Sequence, residues 1–259
     1  MVMKQKAALY SKFIISLFII SIIFYQMPSI VVASETGPKN TEASDSDFDF
    51  IEQEKNEKII ISDPLSSWNR LMFQFNDRLY FWVLKPAAKG YKTVMPLPVR
   101  KGIKNFFYNI RMPIRFANCI LQGKGHYAMA EYSRFIINST AGFGGFLNPA
   151  EKYPWLNPSE EDFGQTLGHY GIGNGIYIVW PFFGPSTLRD TIGLTENYFL
   201  DPVYYVKPAE AVLGLSTYEM INNTSLRIGD YESLKDSAIN PYEAFRDAYL
   251  QYRKGLIEK

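Results

Sequence analysis

The sequence predicts a mostly α-helical protein with at most one short extended segment, near 176–183. Apolar residues recur at helical spacing over most of the chain after residue 63. Prolines and glycines interrupt these stretches at intervals typical of helix ends. The apolar run Tyr177 to Phe183 lacks helical spacing and is bounded by glycine and proline, which favours extended chain.

The first 34 residues have the pattern of a secretory signal. Three lysines precede an apolar stretch at 13–25, and small residues at 31–33 supply a cleavage site. The alternative is an uncleaved anchor, because residues 13–33 nearly reach the length of a bilayer span. In either case we expect the chain to be exported to the cell envelope.

Residues 35–62 follow with eight acidic residues and three lysines. Few aliphatic residues occur there before Ile59, so the stretch cannot bury a core and is predicted to be a disordered acidic linker. Residues 63–259 then form the predicted single helical domain. No later stretch is long and apolar enough to span a membrane, so this domain is expected to lie within one leaflet or at its interface.

Composition excludes several classes of protein. The formal net charge is +1, without the concentrated basic footprint that nucleic-acid binding needs. The single cysteine, Cys119, excludes an intramolecular disulfide. With only His126 and His169 beside it, no Cys/His zinc set can form. We predict no metal and no cofactor; a carboxylate-based metal site stays open from the residues alone, although no calcium-loop spacing is present.

The first helix of the domain is predicted to begin at Asp63-Pro64, an N-cap and first-turn pair, and to end at Pro86. Its apolar residues cover more than one face, which indicates a buried or lipid-facing helix. Its polar side chains either line a polar interior or pair on one wet side, and they are Asn69, Arg70, Asn76 and Asp77.

Three further helices are predicted, from Val99 to near Pro113, from Ile114 to Leu121 and from His126 to Thr140. The last is followed by glycines that permit a tight reversal, namely Gly142, Gly144 and Gly145. Positive charge concentrates between residues 89 and 115, where it forms either a solvated helix face or a contact with lipid phosphate. The residues concerned are Lys89, Lys92, Arg100, Lys101, Lys104, Arg111 and Arg115.

The stretch Glu161 to Asp190 holds six of the 18 glycines. It is predicted to contain a helix end, a hinge of alternating glycines (Gly171, Gly173 and Gly175), the apolar crossing and a helix start. Ser186 or Thr187 is the expected N-cap of that last helix, with Asp190 in its first turn. Later breaks are predicted at Asp201-Pro202, Pro208, Gly214 and Asp230, and a last helix at Asn240-Pro241.

Enzyme motifs fail on spacing in this stretch. The glycines at 171–175 lack the third position of a dinucleotide loop, and no clear strand precedes them. The segment 184–188 lacks the final glycine of a nucleophile elbow, and no histidine follows Ser186. No catalytic residue is predicted.

Five blocks of the chain resemble the MlaA (VacJ) family, lipid-transport proteins of the Gram-negative outer membrane. They are DPLSSWNRLMFQFND at 63–77, LQGK at 121–124, RFIINSTAGFGGFLNPA at 134–150, the stretch with FGQTLGHYGIGNG at 163–175 and WPFFGPSTLRD at 180–190, and PYEAFRDAYLQYR at 241–253. The blocks cover nearly the whole of the predicted domain.

The resemblance implies a ring of amphipathic helices in the inner leaflet of the outer membrane, around an amphipathic channel. Such a protein takes mislocalised phospholipid from the outer leaflet and passes it to a soluble periplasmic carrier of an ATP-driven inner-membrane system, with trimeric porins as partners. Transport breaks no bond, so the protein is expected not to be an enzyme. Candidates for the lipid path are Asn69, Arg70, Asn76, Asp77, Gln165, His169, Tyr170, Arg189 and Asp190.

The chain departs from this family in one respect. Family members carry an acylated cysteine directly after the signal, whereas no cysteine lies near residue 34 here. Two other functions remain open from the residues alone. One is a lipid-acting envelope enzyme that uses His169, flanked by Asp162, Tyr170 and Asp190. The other is a structural protein that braces porins and has no lipid path.

Overall fold

A computed structural model of the chain describes residues 63–259. The predicted signal (1–34) and linker (35–62) lie outside the described residues. The helices are α1 Ser66–Leu79, α2 Lys85–Val94, α3 Leu97–Ile110, α4 Met112–Leu121, α5 Gly125–Thr140, α6 Phe163–His169, α7 Leu188–Gly193, α8 Asn197–Leu200, α9 Ala209–Leu226, α10 Asp230–Ser237 and α11 Pro241–Ile257. Short 3₁₀ turns occupy Pro149–Lys152, Pro154–Leu156, Leu194–Glu196 and Pro202–Tyr205.

Two short strands complete the fold, and the predicted mostly helical class is confirmed. Strand β1 (Tyr177–Trp180) pairs antiparallel with β2 (Gly184–Thr187), with Tyr177 opposite Thr187. Only the first strand was expected. The partner strand, Gly-Pro-Ser-Thr, has little intrinsic preference for extended structure and forms because a three-residue turn folds it back. Phe182 in that turn has φ of 70°, in the left-handed region.

The first predicted helix boundary, at Pro86, is wrong. A π-helical turn (Tyr80–Leu84) joins α1 to α2, so one continuous helix runs through the proline. The N–H of Lys85 bonds to the carbonyl of Tyr80, five residues earlier. This change of hydrogen-bond register places Pro86, which has no N–H, in the first turn of α2, where prolines are tolerated.

Two smaller boundary predictions are also wrong. Asp63 does not cap α1, which begins at Ser66 after Leu65. Its carboxylate instead accepts from the Asn69 amide at 2.8 Å and from the Tyr242 hydroxyl. Helix α9 continues through Gly214, where a Cβ would meet open space, so the glycine costs only its helix propensity. Tertiary packing supplies what local preference lacks.

The packing partners form a closed circuit, in agreement with the ring that the family resemblance implies. The long α1–α2 helix contacts α9, which contacts α3; α3 contacts α4 and α5, and α4 contacts α6. Helix α6 packs on α7, α7 contacts β2, and β1 returns to α1. Helix α11 lies beside α6 and β2 and closes a small core of Tyr177, Val179, Tyr242, Tyr249 and Leu250.

Large apolar side chains cover much of the outer surface. On α1 and the π-turn they form an outward face of Trp68, Leu71, Phe75 and Trp82, the last 75% exposed. The opposite face of the same helix packs on the core through Phe73 and Tyr80. The helix is therefore apolar on two faces, as predicted. Within residues 63–259, the helices are too short or too polar to span a bilayer.

Candidate functional site

A cavity of about 300 Å³ lies where α4, α6, α7 and α11 meet the two-stranded sheet of β1 and β2. Its wall combines charged and apolar groups. Five carboxyl groups line it: Glu160, Glu161, Asp162, Asp190 and Glu196. Three guanidinium groups line it: Arg111, Arg115 and Arg253. Apolar side chains fill other parts of the wall, including Ile114, Trp180, Phe183, Leu194 and Leu256.

Arg253 of α11 holds one side of the cavity together. Its Nη1 and Nη2 donate to the two carboxylate oxygens of Asp162 at 2.6 and 2.9 Å, and Nη2 also donates to Asp190 at 2.8 Å. Burial disfavours an ionised Asp162, but Arg253 outweighs it and holds the pKa of that carboxyl below its usual value. Tyr249 donates to the second oxygen of Asp190 at 2.7 Å. These bonds fasten α11 to the start of α6 and to α7.

Glycines within the helices allow this network to form. A Cβ on Gly164 would lie 2.6 Å from Asp190 Oδ1 and 2.7 Å from Arg253 Nη2. A Cβ on Gly193 would lie 2.7 Å from the backbone nitrogen of Gly164, so α6 and α7 approach backbone to backbone. On the next turn of α6, a Cβ on Gly168 would meet Ile257 at 2.8 Å. Sequence reasoning missed these positions, although the four-residue spacing of Gly164 and Gly168 was a signal.

A second network joins α4 to α6. Asn118 donates to Glu196 at 2.6 Å and accepts from the hydroxyl of Thr166 at 2.7 Å. Gln122 bonds both Thr166 and the carboxylate of Glu161, at 3.0 and 2.9 Å. Lys124 reaches the other oxygen of Glu161 at 2.7 Å. The charge of Glu161 is therefore balanced by a lysine.

The two arginines on the α4 side are also held by carboxylates. Arg111 donates to both oxygens of Glu219 and, at 3.0 Å, to Asp201. Arg115 donates to Glu131 at 2.9 Å. These two arginines belong to the predicted basic cluster, but they face the cavity. Arg100, from the same cluster, is buried elsewhere and bonds the end of α9.

Gln165, Arg189 and Asp190 are the predicted lipid-path residues that lie at this cavity. Gln165 and Asp190 line it, and Arg189 binds Asp190 through Nε and Nη2 at 3.0 and 2.9 Å. The predicted N-cap of α7 is confirmed: the hydroxyl of Thr187 accepts from the N–H of Asp190. This cap orients Asp190 toward α11.

Asn69 and Asn76 hold strand β1 and lie away from the cavity. Asn69 donates to the carbonyl of Tyr177 at 3.0 Å and accepts from the N–H of Val179 at 2.7 Å. Asn76 makes the same pair of bonds to the carbonyl of Trp180 and the N–H of Phe182. Seven residues separate the two asparagines, so they share one helix face and bind successive parts of the strand edge.

The other four candidates lie outside the cavity wall. Arg70 pairs with Glu243, and both side chains are about half exposed. Asp77 binds Lys235 and Tyr231 on α10. His169 and Tyr170 are exposed at the end of α6. Among residues 63–259, the carboxylates of Asp162 and Asp190 pair with Arg253, and neither forms an ion pair with His169.

The predicted turn glycines differ in what they require. Gly144, Gly145, Gly171 and Gly175 have φ of 71°, 94°, 83° and 66°, a region that favours glycine. Gly142 is needed for space instead, since its Cβ would lie 2.3 Å from the carbonyl of Asn138. At Gly173 a Cβ would meet open space and φ lies outside the left-handed region, so glycine is not required there.

Comparison with known proteins agrees with this architecture. A sequence model described as MlaA lipoprotein matches residues 61–255. The intermembrane phospholipid transport system lipoprotein MlaA of Escherichia coli (strain K12) is 36% identical over 193 residues, covering 73% of this chain and 76% of that protein. Its counterpart in Haemophilus influenzae is 32% identical over 196 residues, covering 73% and 77%.

A solved structure is also similar to this chain. It comes from work on the structural basis for maintenance of bacterial outer membrane lipid asymmetry. The match has a TM-score of 0.68 at 34% identity and covers 76% of this chain and all of that one. This chain belongs to the MlaA lipoprotein family.

Proposed function

We propose that this chain is a phospholipid-transport component that maintains the lipid asymmetry of the outer membrane. It removes mislocalised phospholipid from the outer leaflet and passes it to a soluble periplasmic carrier. The observation that carries the proposal is a cavity with both charged and apolar walls, in a closed circuit of helices that expose large apolar side chains. A phospholipid has the matching division between headgroup and acyl chains.

The outer surface supports a location in the membrane. Helix α1 exposes the large apolar side chains of Trp68, Leu71 and Phe75. None of the described helices can span a bilayer. Both features suit a protein that is embedded in one leaflet. We place residues 63–259 as a single domain at the periplasmic face of the outer membrane, beside a trimeric porin. Residues 1–34 direct export, residues 35–62 act as a flexible acidic linker, and no acylated cysteine holds the chain.

This role requires no catalytic group, because the lipid leaves chemically unchanged. His169 is exposed and its expected acidic partners bind Arg253. The transport path we assign is the cavity wall that includes Gln165 and Asp190, with Arg189 fixing the position of Asp190. The remaining candidates serve the fold: Asn69 and Asn76 hold the strand, and Arg70 and Asp77 pair with neighbouring helices.

Complementation tests the proposal. In cells where this chain is the only such protein, Leu194→Trp fills the cavity and is expected to raise phospholipid exposure in the outer leaflet and sensitivity to detergent. Val83→Trp adds the same ring on the outer surface, where Val83 is 56% exposed, and should complement normally. Normal function of the filled cavity at wild-type protein level would favour porin bracing, and lysophospholipid released by purified protein would favour an enzyme.

A further inference from the structure

More carboxyl groups than guanidinium groups line the cavity wall, although two of the carboxyl groups pair with cations next to it, Glu161 with Lys124 and Asp190 with Arg189. Five carboxyl groups line it against three guanidinium groups. Each lining arginine is already bound to at least one carboxylate: Arg111 to Glu219, Arg115 to Glu131 and Arg253 to Asp162. The basic groups are therefore neutralised locally, and an anionic ligand would find few unpaired cations.

Glu196 is a carboxyl group of this wall that has no cation partner among the described residues. Its oxygens accept from the Asn118 amide at 2.6 Å and from the N–H of Phe163 at 2.9 Å. Among residues 63–259 it forms no ion pair. Burial raises the pKa of this carboxyl to about 7, and the nearby charge of Asp162 adds to the effect. A partly buried carboxylate without a counter-ion is a site where a bound cation is stabilised.

Two buried polar atoms at the same cavity also lack partners in the described part of the chain. Gln165 is 3% exposed; its amide nitrogen bonds Glu160 and Asp162, but its Oε1 accepts nothing. Arg253 is 7% exposed; its Nη atoms bind carboxylates, but its Nε donates to nothing. Buried groups of this kind are normally satisfied, and a ligand can satisfy them. Each of the two atoms has less than 1 Å² of accessible surface, so a rotation of its side chain is needed before it can offer a ligand one acceptor or one donor.

We propose that this cavity recognises a zwitterionic headgroup with a primary ammonium, of the phosphatidylethanolamine type. The ammonium donates to the carboxylate of Glu196. On binding, the side chains of Gln165 and Arg253 rotate so that Oε1 accepts from the ammonium and Nε donates to a phosphate oxygen. The inference rests on the proposed transport function and adds a chemical preference to it. Zwitterionic phospholipid is selected over anionic phospholipid, which brings a net negative charge without an ammonium.

The size and lining of the cavity agree with this assignment. About 300 Å³ is the lower end of the range for small-molecule pockets, so it holds a headgroup and leaves the acyl chains outside. Apolar side chains at its edge, Trp180, Phe183 and Leu256, are placed to contact the first part of those chains. No covalent step is involved.

Lipid retention measures the preference. The full chain, purified in detergent, is equilibrated with vesicles holding equal amounts of phosphatidylethanolamine and phosphatidylglycerol of identical acyl chains, and bound lipid is counted by native mass spectrometry. One charge-assisted hydrogen bond corresponds to about tenfold in affinity, so we expect ethanolamine lipid to be retained about tenfold more. When phosphatidylcholine, which has no N–H on its headgroup, takes the place of phosphatidylethanolamine in the vesicles, most of the preference over phosphatidylglycerol should disappear in the wild-type protein.

Variants locate the preference at Glu196. Glu196→Gln should bring the retention ratio close to one, while Glu243→Gln, an exposed carboxylate outside the cavity, should leave it unchanged. Equal retention of the two lipids by the wild-type chain, or a preference for phosphatidylglycerol, overturns the headgroup assignment and leaves the transport proposal intact. Retention of no phospholipid at all overturns both. A preference that survives Glu196→Gln overturns the role of Glu196.

Discussion

Nη2 of Arg253 lies 2.8 Å from Oδ1 of Asp190, directly beside the Cα of Gly164. The pair joins α11 to α7. Because Gly164 has no side chain, the backbone of α6 can lie against this ion pair, at a position where a Cβ would be 2.6 Å from Asp190 Oδ1 and 2.7 Å from Arg253 Nη2. The hydrogen bonds that join Arg253 to Asp162 and Asp190 therefore depend on Gly164, a residue without a side chain.

Gly164→Ala is expected to lower the free energy of unfolding by about 1–3 kcal/mol, because a methyl group would overlap Asp190 and Arg253. Gly173→Ala is the matched control: its Cβ meets open space, and the lower conformational entropy of the unfolded alanine variant should stabilise it by up to about 1 kcal/mol. Chemical denaturation of both variants in the same detergent gives the comparison. Equal stability of the two would show that the close approach of α6 is not required.

Asn69→Ala should cost about 2–4 kcal/mol of unfolding free energy. It leaves the carbonyl of Tyr177 and the N–H of Val179 buried without partners, and each such group carries a desolvation penalty. Arg70→Ala, one residue along the same helix, removes an exposed ion pair and a contact with the Tyr242 ring, and should cost about 1 kcal/mol. The account of Asn69 fails if both variants unfold at the same denaturant concentration.

Glu196 should make stability depend on pH in a defined direction. Burial raises its pKa in the folded state from 4.5 to about 7, so the folded chain binds more protons than the unfolded chain between these values. Stability therefore falls as pH rises from about 4.5 to 7, by at most about 3 kcal/mol from this group. Glu196→Gln should flatten that part of the profile of unfolding free energy. An unchanged slope would mean that Glu196 titrates normally.

Local chemistry made part of this fold predictable. The caps at Thr187 and Asn240 follow from short polar side chains that precede helices, and both are present. The predicted helix end at Pro86 is wrong because a π-helical turn before it accommodates a residue without an N–H, so the helix continues. That solution depends on packing around Tyr80, which no local pattern records.

The cavity was harder to predict because its wall combines elements far apart in sequence. Arg253 and Asp162 are 91 residues apart, and only the docking of α11 brings them together. Neither was a candidate for the lipid path. Polar residues of α1 were better candidates from the sequence, yet Asn69 and Asn76 point to the strand because that edge would otherwise lack hydrogen bonds.

The N-terminal prediction concerns how the chain is held in the envelope. We expect the mature protein to begin just after Ala33 or Ser34 and to carry no acyl chain, since small residues mark the cleavage site and no cysteine follows it. Intact-mass measurement of protein from membrane fractions checks both points. An acylated N-terminus, or a chain that keeps residues 1–33, would contradict the prediction.

Photocrosslinking from the cavity wall tests most directly whether phospholipid enters it. A benzophenone amino acid at Leu256 lies at the cavity, whereas one at Gln251, exposed on the same helix, does not. In cells grown with labelled phosphate, we predict a phospholipid adduct from position 256 that is absent or much weaker from position 251. Adducts from position 251 alone, or none from position 256 in folded protein, would contradict the assignment of this cavity as the lipid path.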